Sequence, residues 1–315
     1  MTNIILDDFK IEIIVPVYNE EENIPLFLSA LDKELVSKKI NYTVIFVDDG
    51  SEDNTLNILK KIAATNNFVK YISFSRNFGK DAAMMAGLKN STADAAITID
   101  VDLQHPVEMI PSMIDFWQQG YDIVYAYREK ANEYVGLTHK ISAFLFYKIL
   151  NAVSDLEVED GATDFRLTDK KVLHVLNSFT EAEPYFKGLT KWIGFKQKGI
   201  PYNPNRRLHG TSKYSKRALI KLAVRGITSF SIKPLTIAIY IGFIFALLSI
   251  LYIPYAIYSY FSGLNVSGWA SIIVTIAFFG GLQLMILGII GMYLGKLFLQ
   301  SKERPHYIIK ETNLQ

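Results

Sequence analysis

From Pro234 to Gly295 the chain runs for 62 residues without an Asp, Glu, Lys or Arg. No soluble core needs so long an uncharged run, whereas two crossings of a bilayer need one of about this length. The sequence has 315 residues, with 33 Lys plus Arg and 31 Asp plus Glu. The 253 residues outside the run therefore hold every charge, about 25%, which is ordinary for soluble domains. Two materials are joined here, one made for water and one for lipid. A purely soluble enzyme would not carry the run. A polytopic channel would not devote over 200 residues to a charged, periodic domain. The chain has no cysteine, which excludes disulfides and thiolate metal sites.

Two spans fit the run, Pro234 to Tyr260 and Trp269 to Phe298, each longer than the roughly 20 residues that cross the hydrocarbon. Before the first lie Lys213, Lys216, Arg217, Lys221, Arg225 and Lys233. After the second lie Lys296, Lys302, Arg304 and Lys310, and the connecting SGLNVSG has no cation. The positive-inside rule then predicts both termini in the cytoplasm of a multi-pass membrane protein. The start, MTNIILDDFK, lacks the basic flank and apolar run of a signal peptide, consistent with that expectation. Tyr252, Tyr255, Tyr258, Tyr260 and Trp269 read as an aromatic belt at the outer surface. Gly281, Gly288 and Gly295 recur at seven-residue spacing and read as a packing seam, for the hairpin or for an oligomer. Between Tyr214 and Ser231, cations alternate with Ala218, Leu219, Leu222, Ala223 and Ile227, predicting a helix that lies on an anionic membrane surface.

The remainder alternates strand and helix. Strands are predicted at Ile11–Val17, Thr43–Asp49, Val69–Ser75, Ala95–Asp100 and Asp122–Tyr127. Helices are predicted at Glu21–Lys38, Glu52–Asn66, Asp81–Asn90 and Pro106–Gln119. Such a pattern gives an α/β fold, a mostly parallel sheet with helices on both faces. Ligands in these sheets sit at the carboxyl ends of the strands. The polar motifs fall there: Tyr18-Asn19-Glu20, Asp48-Asp49-Gly50-Ser51, Ser75-Arg76-Asn77, and Asp100-Val101-Asp102-Leu103-Gln104-His105. There is no GxGxxG and no GxxxxGK[ST] loop, which disfavours a dinucleotide dehydrogenase or P-loop NTPase.

Asp100 and Asp102 at a strand end can approach one hard divalent cation, Mg²⁺ or Mn²⁺, with Gln104 adding a carbonyl oxygen and His105 a nitrogen. Such an ion would neutralise a departing pyrophosphate. In Asp48-Asp49-Gly50-Ser51, Ser51 is a good N-cap and Gly50 a good turn residue. Two adjacent aspartates need another reason, such as a carboxylate accepting from a base N–H or a ribose hydroxyl.

VPVYNEEENI, VDDGSEDNT, SRNFGK, DVDLQHP, GATDFRL and RLHGTSKY, in this order, resemble the family 2 glycosyltransferases with a GT-A fold. The resemblance is greatest to the polyprenyl-phosphate branch, the dolichol-phosphate mannosyltransferases and bactoprenol glucosyltransferases, and spans about residues 10 to 230. It implies that Pro16, Tyr18, Glu20, Asp49, Lys80 and Asp100 bind the nucleotide sugar. It implies that Asp100, Asp102 and Gln104 hold the metal, and that Asp164, Asp102 and Arg128 are catalytic. Arg128, Arg207, Ser212 and Lys213 would bind the acceptor or its phosphate. His105 stands where many relatives carry Asp and receives no ligand role from the resemblance. Asp164 is usually cast as a base, but a lipid monophosphate is largely dianionic at pH 7, its second pKa being about 6, so a positioning or charge-balancing role is expected as much.

The expectation is a cytoplasmic GT-A domain over 1–212, a juxtamembrane amphipathic helix over 213–232, two transmembrane helices over 233–300 and a cytoplasmic tail over 301–315. Its expected activity is inverting transfer of one sugar, with UDP-glucose the leading donor, to polyprenyl (undecaprenyl) phosphate for cell-envelope glycan modification. The expected partners are donor, lipid acceptor, membrane and a second copy of the chain, without nucleic acid. The alternatives are a processive polysaccharide synthase, whose Gln-x-x-Arg-Trp motif is missing, and a non-catalytic membrane module on the same fold.

Overall fold

A computed structural model describes residues 9–129, 161–181, 185–204, 227–262 and 268–314. These residues fall into two compact units, one formed by 9–129, 161–204 and 305–314, the other by 227–304.

The first unit is an eight-stranded sheet in the order β7-β5-β6-β4-β1-β2-β3-β8. Its strands are β1 (Ile11–Val17), β2 (Tyr42–Asp48), β3 (Val69–Phe74), β4 (Ala95–Thr98), β5 (Ile123–Arg128), β6 (Ala162–Asp169), β7 (Gln197–Tyr202) and β8 (Ile309–Thr312). The connecting helices are α1 (Asn23–Ser37), α2 (Thr55–Thr65), α3 (Lys80–Lys89), α4 (Ile110–Gln118, after a 3-10 turn Val107–Met109), α5 (Lys170–Asn177) and α6 (Phe186–Trp192).

The five strands read from apolar runs all form, within two residues of their expected ends. Three further strands carry no such run. β6 (ATDFRLTD) is polar at alternate positions, β7 (QKGIPY) contains Gly and Pro, and β8 (IKET) follows the apolar helices. β6 inserts between β4 and β5, antiparallel to both, so the sheet is mixed. Its central part, β3-β2-β1-β4, is parallel throughout.

Alternation along β1 sorts the core. Ile11, Ile13, Val15 and Val17 face Ile24, Phe27, Leu28, Leu31 and Leu35 of α1, whose spacing by three, four and seven makes one apolar stripe. Ile14 points to the other face and meets α3. The chain builds outward from β1 to β2 and β3, then returns to place β4 on the other side of β1. That reversal opens a crevice at the carboxyl ends of β1 and β4, between the Tyr18–Glu20 and Asp100–Gln104 segments.

α3 lies close on the sheet because residue 87 is glycine. A Cβ there would stand 2.2 Å from Ile14 Cγ2 and 3.2 Å from Val47 Cγ2. Both neighbours are fully buried branched side chains and cannot swing aside.

In the second unit, α7 (Lys233–Phe261) and α8 (Trp269–Ser301) are each long and apolar enough to cross a membrane, with mean hydropathy 2.4 and 2.3 over Lys233–Ser259 and Ser271–Ser301. Phe245 of α7 packs edge-on against Phe278 and Phe279 of α8, at 5.8 and 5.3 Å between centroids. Tyr293 donates to the Ser231 carbonyl at 2.7 Å and Lys296 to the Ser229 hydroxyl at 3.0 Å. The start of α7 and the end of α8 thus lie side by side. Among the described residues, a Cβ added at Gly281, Gly288 or Gly295 would meet nothing within 4 Å. Of the surface helix expected over Tyr214–Ser231, all but the last turn lies outside the described residues; 227–230 are helical.

Gly87→Ala is expected to destabilise the first unit. Alanine gains about 0.5–1 kcal/mol of helix propensity over glycine, but overpacking a rigid core costs about 1–3 kcal/mol. A lower thermal midpoint of the full chain in detergent checks this; an unchanged or higher midpoint contradicts the packing argument.

Candidate active site

The loops after β1, β2 and β3 are tied together by the Asp48–Ser51 turn. Asp48, 1% exposed, accepts from the Ser73 hydroxyl at 2.8 Å and from the Ser51 amide at 3.0 Å. Asp49, 3% exposed, accepts from the Phe78 amide at 2.7 Å and the Gly79 amide at 2.9 Å. Burial lifts the Asp49 carboxyl above its ordinary value despite those two amides. Gly50 adopts φ +71°, and a Cβ there would lie 2.4 Å from the Arg76 carbonyl carbon. Only glycine lets these two loops touch.

Two sequence readings change here. Ser51 does not cap α2, which starts later, at Thr55; its hydroxyl accepts from the Asn19 amide at 2.9 Å. The adjacent aspartates have an intramolecular reason to exist. Asp48 serves the fold entirely, and Asp49 fastens the Ser75–Gly79 loop.

That loop delivers Lys80, the first residue of α3, to the centre of the site. Its Nζ lies 2.6 Å from Asp100 Oδ1 and 3.2 Å from Asp164 Oδ2. Lys187, on α6, stands 3.7 Å from Asp164 Oδ1. Burial opposes the charge on Lys80, but Asp100 and Asp164 outweigh it and hold its pKa above the usual lysine range. Burial likewise opposes the Asp164 charge, yet Lys187, Lys80 and Arg166 outweigh it and hold the carboxyl well below the ordinary 3.8. A carboxylate held that low is a weak base at neutral pH.

Arg166 and Lys187 were not singled out from the sequence. Arg166 is 4% exposed. It donates to the Thr163 carbonyl at 2.8 Å and to the Thr190 hydroxyl, and lies 5.1 Å from the Phe186 ring. Its fixed positive charge helps keep the Asp164 carboxyl low. Its place in GATDFRL was a signal that could have found it; Lys187 has none, since only β6 and α6 bring it near. Thr98 on β4 donates to the Asp164 carbonyl, which fixes the backbone beside the carboxylate.

The other expected residues sort by strand end. Pro16 lies in β1, and Tyr18 and Glu20 follow it half-buried. The Glu20 carboxylate accepts from Asn23 at 2.6 Å. Arg128 ends β5, exposed, and donates to the Tyr202 hydroxyl at 3.2 Å. Arg207, Ser212 and Lys213 lie outside the described residues.

Asp100, Asp102 and Gln104 are half-buried after β4. Asp102 accepts from the Gln104 amide at 3.2 Å, and Leu103 takes φ +57°. Left-handed backbone at a leucine costs about 1–3 kcal/mol and concentrates at functional sites. Among the described residues, no group of three or more His, Asp or Glu side chains gathers as a metal cluster. Two carboxylates and an amide oxygen still fit a hard cation that takes its remaining ligands from phosphate oxygens. His105 does not fit that set. Its ring is 3% exposed and stacked on Phe165 at 5.4 Å, with Nδ1 lacking a hydrogen bond and 3.9 Å from Asp100 Oδ2. Burial keeps its pKa below the ordinary value despite Asp100.

Lys80→Met should reverse the contribution that Asp100 makes to the pH dependence of stability. In the wild-type chain the depressed Asp100 and Asp164 contribute fully above their ordinary value of 3.8, and lose that contribution as pH falls through their folded values. Without Lys80, Asp100 loses its main counter-charge and keeps the repulsion of Asp164, whereas Asp164 keeps Lys187 and Arg166; the Asp100 carboxyl then rises, and a raised folded pKa gives stability that is lost as pH rises. The variant's thermal midpoint in EDTA should therefore fall between pH 4.5 and 7.5 relative to wild type; a constant difference across that window would refute the network.

Residues 12–176 match the family described as Glycosyl transferase family 2. The bactoprenol glucosyl transferase of Shigella phage SfX is 39% identical over 302 residues, covering 96% of this chain and 99% of that protein. The prophage bactoprenol glucosyl transferase homolog of Escherichia coli K12 is 39% identical over 304 residues, covering 96% and 99%. A mannosyltransferase of Pyrobaculum calidifontis, solved with GDP-Man and Mn²⁺, is similar at 13% identity and TM-score 0.47, over 94% of this chain and 86% of that one. The family match over residues 12–176 and the two transferases aligned over 96% of the chain agree with the strand-end site: this chain belongs to glycosyl transferase family 2, enzymes that move a sugar from a nucleoside diphosphate donor.

Proposed function

We propose that the protein transfers a single glucose from UDP-glucose to the phosphate of a polyprenyl phosphate, undecaprenyl phosphate being the leading acceptor, with inversion at the anomeric carbon. The observation that carries this reading is the Lys80–Asp100–Asp164–Lys187 cluster at the strand ends of a chain that also has two membrane-length helices. Relatives aligned along both parts are named for glucosyl transfer to bactoprenol.

The acceptor oxygen attacks the anomeric carbon, the bond to the diphosphate breaks, and the leaving group takes the electron pair. Asp100, Asp102 and Gln104 would hold a Mg²⁺ or Mn²⁺ ion, which supplies charge neutralisation for the diphosphate. Pro16, Tyr18, Glu20 and Asp49 would line the nucleotide side, and Lys80 would face the phosphates. Arg128, Arg207, Ser212 and Lys213 would meet the acceptor phosphate, arginine through its planar fork and lysine as a point charge. The acceptor is already dianionic at pH 7 and needs no base. Asp164, clamped between two lysines, then orients charge rather than abstracting a proton.

Both ends of the α7–α8 hairpin join the first unit in sequence, as an even number of crossings requires. With the flanking cations this supports a cytoplasmic catalytic domain. Tethering raises the effective concentration of a membrane acceptor. Small residues at seven-residue spacing on α8 are what close packing with a second copy of the chain would use.

The test is purified full-length protein with Mn²⁺ or Mg²⁺, undecaprenyl phosphate and a panel of nucleotide sugars. Labelled lipid from UDP-glucose is expected, its formation abolished by EDTA and restored by either ion. No labelled lipid from any donor sinks the proposal; a product longer than one sugar favours the processive alternative.

In the same assay Asp164→Asn is expected to lose about a hundredfold or more in kcat, equally from pH 6 to 9. Partial recovery at high pH would instead identify Asp164 as a base.

A further inference from the structure

The tail after the second membrane-length helix does not trail away. Residues 305–314 rejoin the first unit and add β8 to the edge of its sheet, antiparallel to β3. Lys60 and Glu311 pair at 2.7 Å across this edge, and the Thr312 hydroxyl donates to the Tyr71 carbonyl at 2.8 Å. An edge strand seldom needs more than such pairing, but this one carries an aromatic contact that leads to the active site.

Tyr307 stacks on Phe74, the last residue of β3, at 4.9 Å and 11° between planes. Phe74 meets Phe78 edge-on at 5.8 Å and 90°, and the Arg76 guanidinium lies 4.1 Å above the Phe78 ring. The Ser75 amide donates to the Ile308 carbonyl at 3.0 Å, so the tail also holds the loop's first residue by its backbone. The Ser75–Gly79 loop is thus gripped from two sides: Asp49 binds its Phe78 and Gly79 amides from within, and Tyr307 supports its Phe78 ring through Phe74 from the tail. Lys80 follows directly.

We propose that Tyr307 is a positioning residue for sugar transfer, holding the Ser75–Gly79 loop, and with it Lys80, in register with Asp100 and Asp164. This rests on the donor-binding reading of Lys80. It makes the C-terminal tail part of the catalytic unit rather than a free end. The aromatic stack is the contact that matters; the Lys60–Glu311 pair, half-buried at the far end of β8, makes no contact with the Ser75–Gly79 loop.

The test reads loop order and catalysis separately, on full-length protein in detergent. In Tyr307→Ala, amide hydrogen exchange over the peptide containing Phe78 and Gly79 should rise about tenfold, the size set by loss of one aromatic pair. Exchange across β1 and β2 should stay at the wild-type rate. Tyr307→Phe, which keeps the ring, should restore the wild-type pattern, and Glu311→Gln should not disturb it. With UDP-glucose and undecaprenyl phosphate, Tyr307→Ala should raise the donor KM about tenfold with a smaller change in kcat. Uniformly faster exchange over the whole sheet, or an unchanged loop, overturns the proposal. A wild-type chain with no transferase activity would fail the functional reading, while the exchange pattern would still decide whether Tyr307 holds the loop.

Discussion

The site depends on the buried carboxylate of Asp49 and the two backbone amides it binds. Those bonds fold the Ser75–Gly79 loop back over the end of β2, and the fold-back carries Lys80 to Asp100 and Asp164. An unpaired buried amide costs about 1–3 kcal/mol, so the two N–H groups hold Asp49 as firmly as it holds them. Asp48 does the same on the other side of the strand, joining Ser73 on β3 to the turn after β2. Gly50 then allows the two loops to touch.

Around this knot the charges are arranged with little slack. Two carboxylates, one just after β4 and one on β6, would repel if left alone, and Lys80 bridges them. Lys187 and Arg166 raise the positive field around Asp164 further, which keeps it ionised and makes it a poor base. The same field suits the proposed transfer, in which nucleophile and leaving group are both phosphates and no proton would have to be taken.

Much of this was legible in the sequence. The apolar runs gave β1 to β5 because strands buried on both faces must be apolar throughout. The ordered motifs marked the strand ends because polar residues survive there only for loops or ligands. Legibility failed where residues act through distant partners. β6 is half polar and was read only as a motif, although its antiparallel insertion places Asp164 beside β4. Ser51 looked like a helix cap, but the helix starts later because the turn residues bind across to β1. The tail over 301–315 carries no strand signal of its own, and its pairing with β3 joins residues more than 200 positions apart.

The sequence by itself determined that this chain joins a charged α/β domain to two membrane-length helices, and that its chemistry gathers at strand ends. Periodicity and the placement of charge are local properties, readable without coordinates. The tertiary structure decided which charges meet. Lys80, Asp100, Asp164 and Lys187 come from four separate segments, and the reversal of strand order at β1, with β6 inserted against β4, brings Lys80 within 4 Å of Asp100 and Asp164, and Lys187 within 4 Å of Asp164. Coulomb energy depends on that spacing and on burial, and neither is written in the order of residues.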